Sequence, residues 1–315
     1  MTNAGAQPPP TAPGGDGANE DGPNEKVTTE LEAVIYEREG PIARIILNQP
    51  EKANAQSSAM VRDVDACLDD AERDYDVRVL ILKANGRGFC SGHLIGRQGT
   101  AYDEFREAQE KVGSAWKPQF DLFVWPVLHL WEFPKPVIAQ VHGYAIGGGT
   151  YFALLPDITI ASDDAYFQMP LVQGLGLPGG ETMIEPWVFM NWKRAAEYLY
   201  TAQTLTAEEA FEMGLVNHVV PRAELESTVE EMAQKIALAP MTTLMATKTL
   251  IKRAWELMGL RLHLQMSNDL VSLTGAHSDV RAIHAGMGPV RIPPRQWAAR
   301  RLAGDVGGDD AGSDG

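Results

Sequence analysis

"VHGYAIGGGTYFALLPDITIAS", residues 141–162, decides how this chain is read. An apolar run ends in Gly147, Gly148 and Gly149, and a helix-like segment follows at once. Glycine permits positive φ and lets another group approach the backbone without a Cβ in the way. If Gly148 opens the helix through Phe152 and Leu155, its N–H has no intrahelical acceptor. The helix dipole adds positive potential at the same point. A second apolar strand ends alike, in "FCSGHL" (89–94). Two N–H groups, one from each turn, could together hold an oxygen that becomes negative during a reaction. Losing one such donor costs about 3 to 4 kcal/mol of barrier. Each turn taken alone also fits tight strand–helix packing. A dinucleotide site is disfavoured, because "IGGGTYF" lacks the G-x-G-x-x-G spacing.

Working outward, "AVIYEREGPIARIILNQ" (33–49) predicts a hairpin around Glu39-Gly40. Ser57 caps a predicted helix to about Arg73, with Met60, Val64, Cys67, Leu68 and Ala71 on one face. "VRVLILKA" (77–84) and "KPVIAQV" (135–141) read as short buried strands, and "DITIAS" and "AYFQM" as two more. Beyond about residue 180, "EEAFEMG", "ELESTVEEMAQKIA" and "TTLMATKTLIKRAWELM" are helical, with "LVNHVVP" a short strand between. Strand–helix alternation followed by helices predicts an α/β core with a helical C-terminal subdomain.

The chain has 315 residues and a formal net charge of -15, which argues against nucleic acid as a partner. It has no apolar run long enough to cross a membrane. The start, "MTNAGAQPPPTAPGGDGANEDGPNE", lacks the pattern of a signal peptide, and Cys67 and Cys90 form no disulfide framework. A cytoplasmic protein is expected. Residues 1–27 and 291–315 are rich in Gly, Pro, Ala and acids and are expected as disordered tails.

Five blocks carry a family likeness: "LNQPEKANA", "VRVLILKANGRGFCSGHL", "KPVIAQVHGYAIGGG", "LLPDITIASDDAYFQMP" and "AEEAFEMGLVNHVVP". In order and spacing, over about residues 30–285, they resemble the crotonase or enoyl-CoA hydratase/isomerase superfamily. The resemblance implies a spiral of ββα units (28–220) and a helical trimerisation region (221–290). It also implies acyl-CoA thioester substrates, with coenzyme A entering as part of the substrate and neither a prosthetic group nor a metal. A homotrimer or a dimer of trimers is implied as well; the Leu and Met stripes of "TTLMATKTLIKRAWELM" and "LRLHLQMSNDLVSL" fit either a neighbouring subunit or an internal core. By motif match, the thioester oxygen is held by the N–H groups of His93 and Gly148. The adenine loop matches Lys52, Ala53, Asn54 and Ala55, and Lys52 and Arg97 are the nearby cations for phosphates.

The same resemblance places the two hydratase glutamates at positions that here are Tyr151 and Leu171, and an isomerase acid at Gly179. Leucine exchanges no proton, and tyrosine, with a pKa near 10, is a poor base. Glu181, in "LPGGETMIEPW", is the leading substitute, either at a helix start whose dipole lowers its basicity or facing solvent. Glu185 lies one turn further. The His93 side chain is a second candidate, because imidazole titrates near neutrality. Glycine followed by histidine in the first turn resembles methylmalonyl-CoA decarboxylase, a family member. Tyr151 projects toward the acyl group, and Tyr151, Phe152, Trp125 and Trp131 are candidates to line a pocket for a bulky ring. His142 and Asp157 read as structural. Decarboxylation and acyl-CoA binding without turnover remain alternatives to hydration or isomerisation.

Overall fold

The computed structural model describes residues 26–94 and 100–286. The expected tails, apart from residues 26 and 27, and Arg97 lie outside the described residues. The chain begins with β1 (Val27–Glu30), an edge strand that the sequence reading missed, antiparallel to β2 (Val34–Glu39). The predicted hairpin pairs β2 with β3 (Ile42–Leu47). The Ser57 hydroxyl accepts from the Met60 N–H at 3.2 Å, capping α1 (Ser58–Arg73). All five residues of its predicted apolar face are buried. Burying each of the larger ones contributes about 1.5 to 3 kcal/mol.

A simple repeat generates the rest. β3 leads to an extended residue, Gln56, and then α1. β4 (Val79–Ala84) leads to the extended segment 90–93 and then to α2 (Thr100–Val112), α3 (Trp116–Gln119), a π-helical turn (Phe120–Val124) and α4 (Trp125–Glu132). β5 (Val137–Val141) leads to β6 (Tyr144–Ile146) and α5 (Gly148–Leu154). β7 (Ile158–Ser162) leads to β8 (Tyr166–Gln168) and α6 (Leu171–Leu175). In the large sheet β3, β4, β5 and β7 lie side by side and parallel. In a second layer Gln56 bridges His93, Cys90 bridges Ala145 and β6 pairs with β8, in the same order and also parallel. Each ββα unit therefore stacks on the one before it, which makes a spiral.

Short elements close the core: α7 (Glu185–Phe189), α8 (Trp192–Thr201), β9 (Thr204–Thr206) against β8, α9 (Ala207–Glu212), and β10 (His218–Val220) against β7. α10 (Leu225–Ala237) covers the outer face of the large sheet, packing Leu225, Val229 and Ala233 on Ile42, Val79, Ile81, Ile138 and Ile160. Leu80 and Leu82 point the other way, into the main core. Burial on both faces is why these strands read as continuous apolar runs. α11 (Met241–Leu257), α12 (Leu260–Gly275) and α13 (Ser278–Gly286) complete the helical end. Its stripes divide: Leu260, Leu264 and Val271 are buried, whereas Leu250, Leu257, Leu262, Met266, Leu270 and Leu273 are exposed in the single chain.

One ion pair fixes the helix that shapes the site. His129 of α4 bonds Asp65 of α1 through Nδ1, and its Nε2 lies 3.6 Å from Asp69. The bond to Asp65 raises the His129 pKa above its ordinary 6.5. Its stabilisation is thus complete below about pH 6.5 and is lost as the pH rises through the raised value. The thermal midpoint of His129→Gln should therefore trail the wild type most at pH 6, the gap narrowing on titration to alkaline pH. A gap independent of pH would contradict this.

Candidate active site

The spiral brings the two glycine turns together, because segment 90–93 lies between Gln56 and β6. Gln56 donates to the Gly92 carbonyl at 2.8 Å and accepts from the Leu94 N–H at 3.0 Å. Both bonds skip His93, so its N–H points to the opposite side, where Gly148 begins α5. Gly147 offers no capping side chain, which leaves the Gly148 N–H without an intrahelical or capping acceptor. The turns touch: Gly92 has φ +87°, and a Cβ there would lie 3.1 Å from the Gly148 nitrogen and 2.6 Å from the Ile146 carbonyl oxygen. A Cβ on Gly148 would come within 2.4 Å of Gln56 Oε1 and 2.8 Å of His93 Nε2. Glycine is therefore required at Gly92, and at Gly148 it leaves room for the Gln56 and His93 side chains.

The His93 imidazole folds over Gly148 and packs on Phe123, with ring centroids 4.3 Å apart. Burial drives its pKa down to about 4, so the ring is neutral at neutral pH. Its Nε2 lies 3.9 Å from Glu181 Oε2. Glu181 is buried, 8% exposed, and burial raises its pKa to about 7, although the facing Gln119 amide pulls the other way. Glu181 does not sit at a helix start, as the sequence reading expected. It lies in the turn before α7, which begins at Glu185, so no dipole offsets desolvation and its basicity rises. Nor does it face solvent.

Glu185, 2% exposed, is likewise raised to about 7 by burial. The Tyr151 hydroxyl lies directly against Gly180, where a Cβ would fall 1.2 Å from the oxygen. A large side chain at 151 thus requires glycine at 180. Burial and the charges of Glu185 and Glu181 hold the Tyr151 hydroxyl well above its usual pKa. Among the described residues, fifteen buried side-chain polar atoms lack a hydrogen-bond partner, and nine of them belong to His93, Tyr151, Glu181, Thr182, Glu185, Trp187 and Tyr198. Each such group costs about 1 to 3 kcal/mol. That concentration marks the wall formed by 181–187, Tyr151 and Tyr198 as a place built for something other than stability.

With this geometry in view, residues 37–291 match the profile of the Enoyl-CoA hydratase/isomerase family. The chain belongs to that family. It is similar to the short-chain-enoyl-CoA hydratase of Clostridium acetobutylicum, with 35% identity over 234 residues covering 72% of this chain and 84% of the relative. It is also similar to the 1,2-epoxyphenylacetyl-CoA isomerase of Escherichia coli, at 32% identity over 80% of this chain and 93% of the relative. The crystal structure of an enoyl-CoA hydratase/isomerase from Xanthobacter autotrophicus Py2 superimposes with a TM-score of 0.73 at 29% identity, covering 87% of this chain and 98% of that one. The crotonase-type spiral expected from the sequence is thus the fold.

In this enoyl-CoA hydratase/isomerase family chain, the other expected residues sort clearly. Lys52 is exposed at the end of a 3-10 turn, and Ala53 and Asn54 follow with φ of 56° and 49°. The buried Asn54 side chain accepts from the Gln49 N–H and donates to the carbonyls of Asn85 and Gly88, so it staples this loop to the one after β4. Ala55 is buried, and Leu171, at the start of α6, is nearly so. His142 bonds the Gly86 carbonyl at 3.1 Å, and Asp157 bonds Val137 N–H and Lys248, structural roles for both.

The ring pocket needs correction: Trp131 donates its indole N–H to Glu256, Trp125 stands exposed against His129, and Phe152 is in the core. They do not converge with Tyr151, because α4 turns those indoles away and Phe152 faces inward. In their place the structure supplies Gln119 and Phe123, absent from the sequence reading. Four residues apart across the α3–π junction, they face Glu181 and His93 together. The i, i+4 spacing in "QFDLF" was the available signal; the π turn has no sequence signature.

Proposed function

We propose that this chain acts on acyl-CoA thioesters, holding the thioester carbonyl with the N–H groups of His93 and Gly148 and moving a proton at the adjacent carbon with Glu181. The observation carrying this reading is the Glu181 carboxyl, buried beside the two turns with a pKa of about 7. A general base works best with its pKa near the working pH. Charge accumulating on the carbonyl oxygen in the enolate meets two fixed N–H dipoles, so the pKa of the α-carbon falls toward that of the carboxyl. One carboxyl suffices to take a proton from one carbon of an enoyl system and return it to another, which is isomerisation. Hydration adds water across the same double bond and needs a second proton-exchanging group beside Glu181. The neutral His93 ring supplies no positive charge for a substrate carboxylate, which disfavours decarboxylation of a malonyl-type thioester.

The coenzyme A portion is proposed to lie along Lys52, Ala53, Asn54 and Ala55, with Lys52 and Arg97 toward its phosphates. A homotrimer or dimer of trimers would cover the exposed apolar residues of α11 and α12. No helix among the described residues is long and apolar enough to cross a membrane.

The test is mass spectrometry of a panel of enoyl-CoAs, linear and ring-bearing, together with methylmalonyl-CoA, incubated in deuterated water. Deuterium in the recovered thioester or gain of water is the expected result. Loss of carbon dioxide would establish the decarboxylase reading. Unchanged thioesters that nevertheless bind would establish a non-catalytic acyl-CoA protein.

A further inference from the structure

The unpartnered polar atoms extend past Glu181, and the reaction above uses only part of them. Both oxygens of Glu185, the hydroxyls of Tyr151, Tyr198 and Thr182, and the Trp187 indole N–H are buried without a well-formed hydrogen bond, although Tyr151 and Thr182 face each other and Glu185 faces the backbone N–H groups of Ile184 and itself. Glu185, Tyr151, Tyr198 and Thr182 form one group, whereas Trp187 packs on Trp255 and His263. Glu185 acts electrostatically on both tyrosine hydroxyls, and Tyr151 interacts in addition with Glu181, Thr182 and Tyr198. Tyr151 is three residues along α5 from Gly148, one helical turn from the proposed carbonyl site. The group therefore adjoins the proposed carbonyl site, where the acyl portion would lie. An apolar chain there offers none of these groups a partner.

We propose that Glu185, Tyr198 and Tyr151 form a subsite for an uncharged oxygen substituent, a hydroxyl or ketone, on the acyl group of the thioester. The inference rests on the acyl-CoA reading above and deepens it. The chemistry of the group selects the substituent. A hydroxyl donates to Glu185 and accepts from Tyr198, and a ketone accepts from the tyrosines. A carboxylate is rejected, because Glu181 and Glu185 are both acids and neither has a Lys or Arg ion-pair partner among the described residues. A site built to bond a substrate hydroxyl discriminates strongly against the analogue without it, whose entry strands the site's own polar groups.

Two measurements test the proposal. The first is kcat/KM for hex-2-enoyl-CoA against its 4-, 5- and 6-hydroxy derivatives. The second is calorimetric binding of the saturated counterparts, hexanoyl-CoA and the hydroxyhexanoyl-CoAs, which requires no turnover. One hydroxylated isomer is expected to be favoured about 10- to 100-fold in both. Glu185→Leu and Tyr198→Phe should each reduce or reverse that preference while leaving unsubstituted hexanoyl-CoA bound as tightly as before. Two variants are specified so that one folding failure does not decide the matter. Equal binding of all the saturated thioesters overturns the subsite and leaves the acyl-CoA reading standing. A binding preference without any turnover overturns the proton-transfer reading and leaves the subsite standing. Equal loss of turnover for hydroxylated and plain substrates in Glu185→Leu would make Glu185 part of the reaction and overturn the subsite.

Discussion

Glu181→Gln is expected to lose turnover by about 10²- to 10⁴-fold while making the folded protein more stable above pH 7. Both effects have one cause. The carboxyl has an ordinary pKa of 4.5, and burial in the fold raises it to about 7. The folded state therefore holds the proton more tightly than the unfolded chain does. Stability attributable to this group is complete below pH 4.5 and declines as the pH rises to about 7. The full difference, from 4.5 to about 7, corresponds to about 3 kcal/mol. Glutamine is neutral at every pH and removes that cost. As a base the carboxyl must be ionised, so wild-type kcat/KM should climb with pH and level off above about 7. The variant should have a flat profile. Urea midpoints at pH 6 and pH 8, with the pH–rate profile, check both halves. Wild-type turnover in Glu181→Gln would remove the residue from the mechanism whatever the stability result.

Gly148→Ala is the second large effect, expected to reduce kcat by about 10²- to 10³-fold. The new methyl would sit 2.4 Å from Gln56 Oε1 and 2.8 Å from His93 Nε2, so these side chains or the helix start must give way. Displacing His93 or the start of α5 disturbs the pair of N–H groups proposed to hold the oxyanion. Overpacking of this kind also costs about 1 to 3 kcal/mol of stability. The two losses can be separated. In the double variant Gly148→Ala/His93→Ala the imidazole is gone, so part of the stability should return. Turnover should not, because the methyl still meets Gln56 Oε1. An alanine variant with undiminished kcat would refute the oxyanion assignment of this turn.

The two predictions draw on information from different levels. The glycine turns were legible because a close backbone approach leaves a mark in sequence: at Gly92, with φ +87°, a Cβ would fall 2.6 Å from the Ile146 carbonyl oxygen. The α1 cap and its apolar face were legible because they depend on neighbours within a turn or two. Glu181 was legible as a candidate, but its ionisation was misjudged. "GGETMIEP" does not reveal whether the helix begins at 181 or 185, and burial by Gln119 and His93 comes from residues 62 and 88 positions away. The aromatic lining was misread for a similar reason. Trp125 and Trp131 both lie on α4, and the direction that helix gives them depends on the π turn before it, which the sequence does not mark.

By itself, the sequence determined the repeated strand–helix order, singled out the two glycine turns, and carried the motif blocks that resemble the family. The order follows from local periodicity and the turns from glycine's lack of a Cβ. Only the tertiary structure decided which acids could exchange protons and which polar groups lacked partners. Ionisation depends on water being excluded by residues distant in the chain, and spacing along the sequence carries no measure of that exclusion.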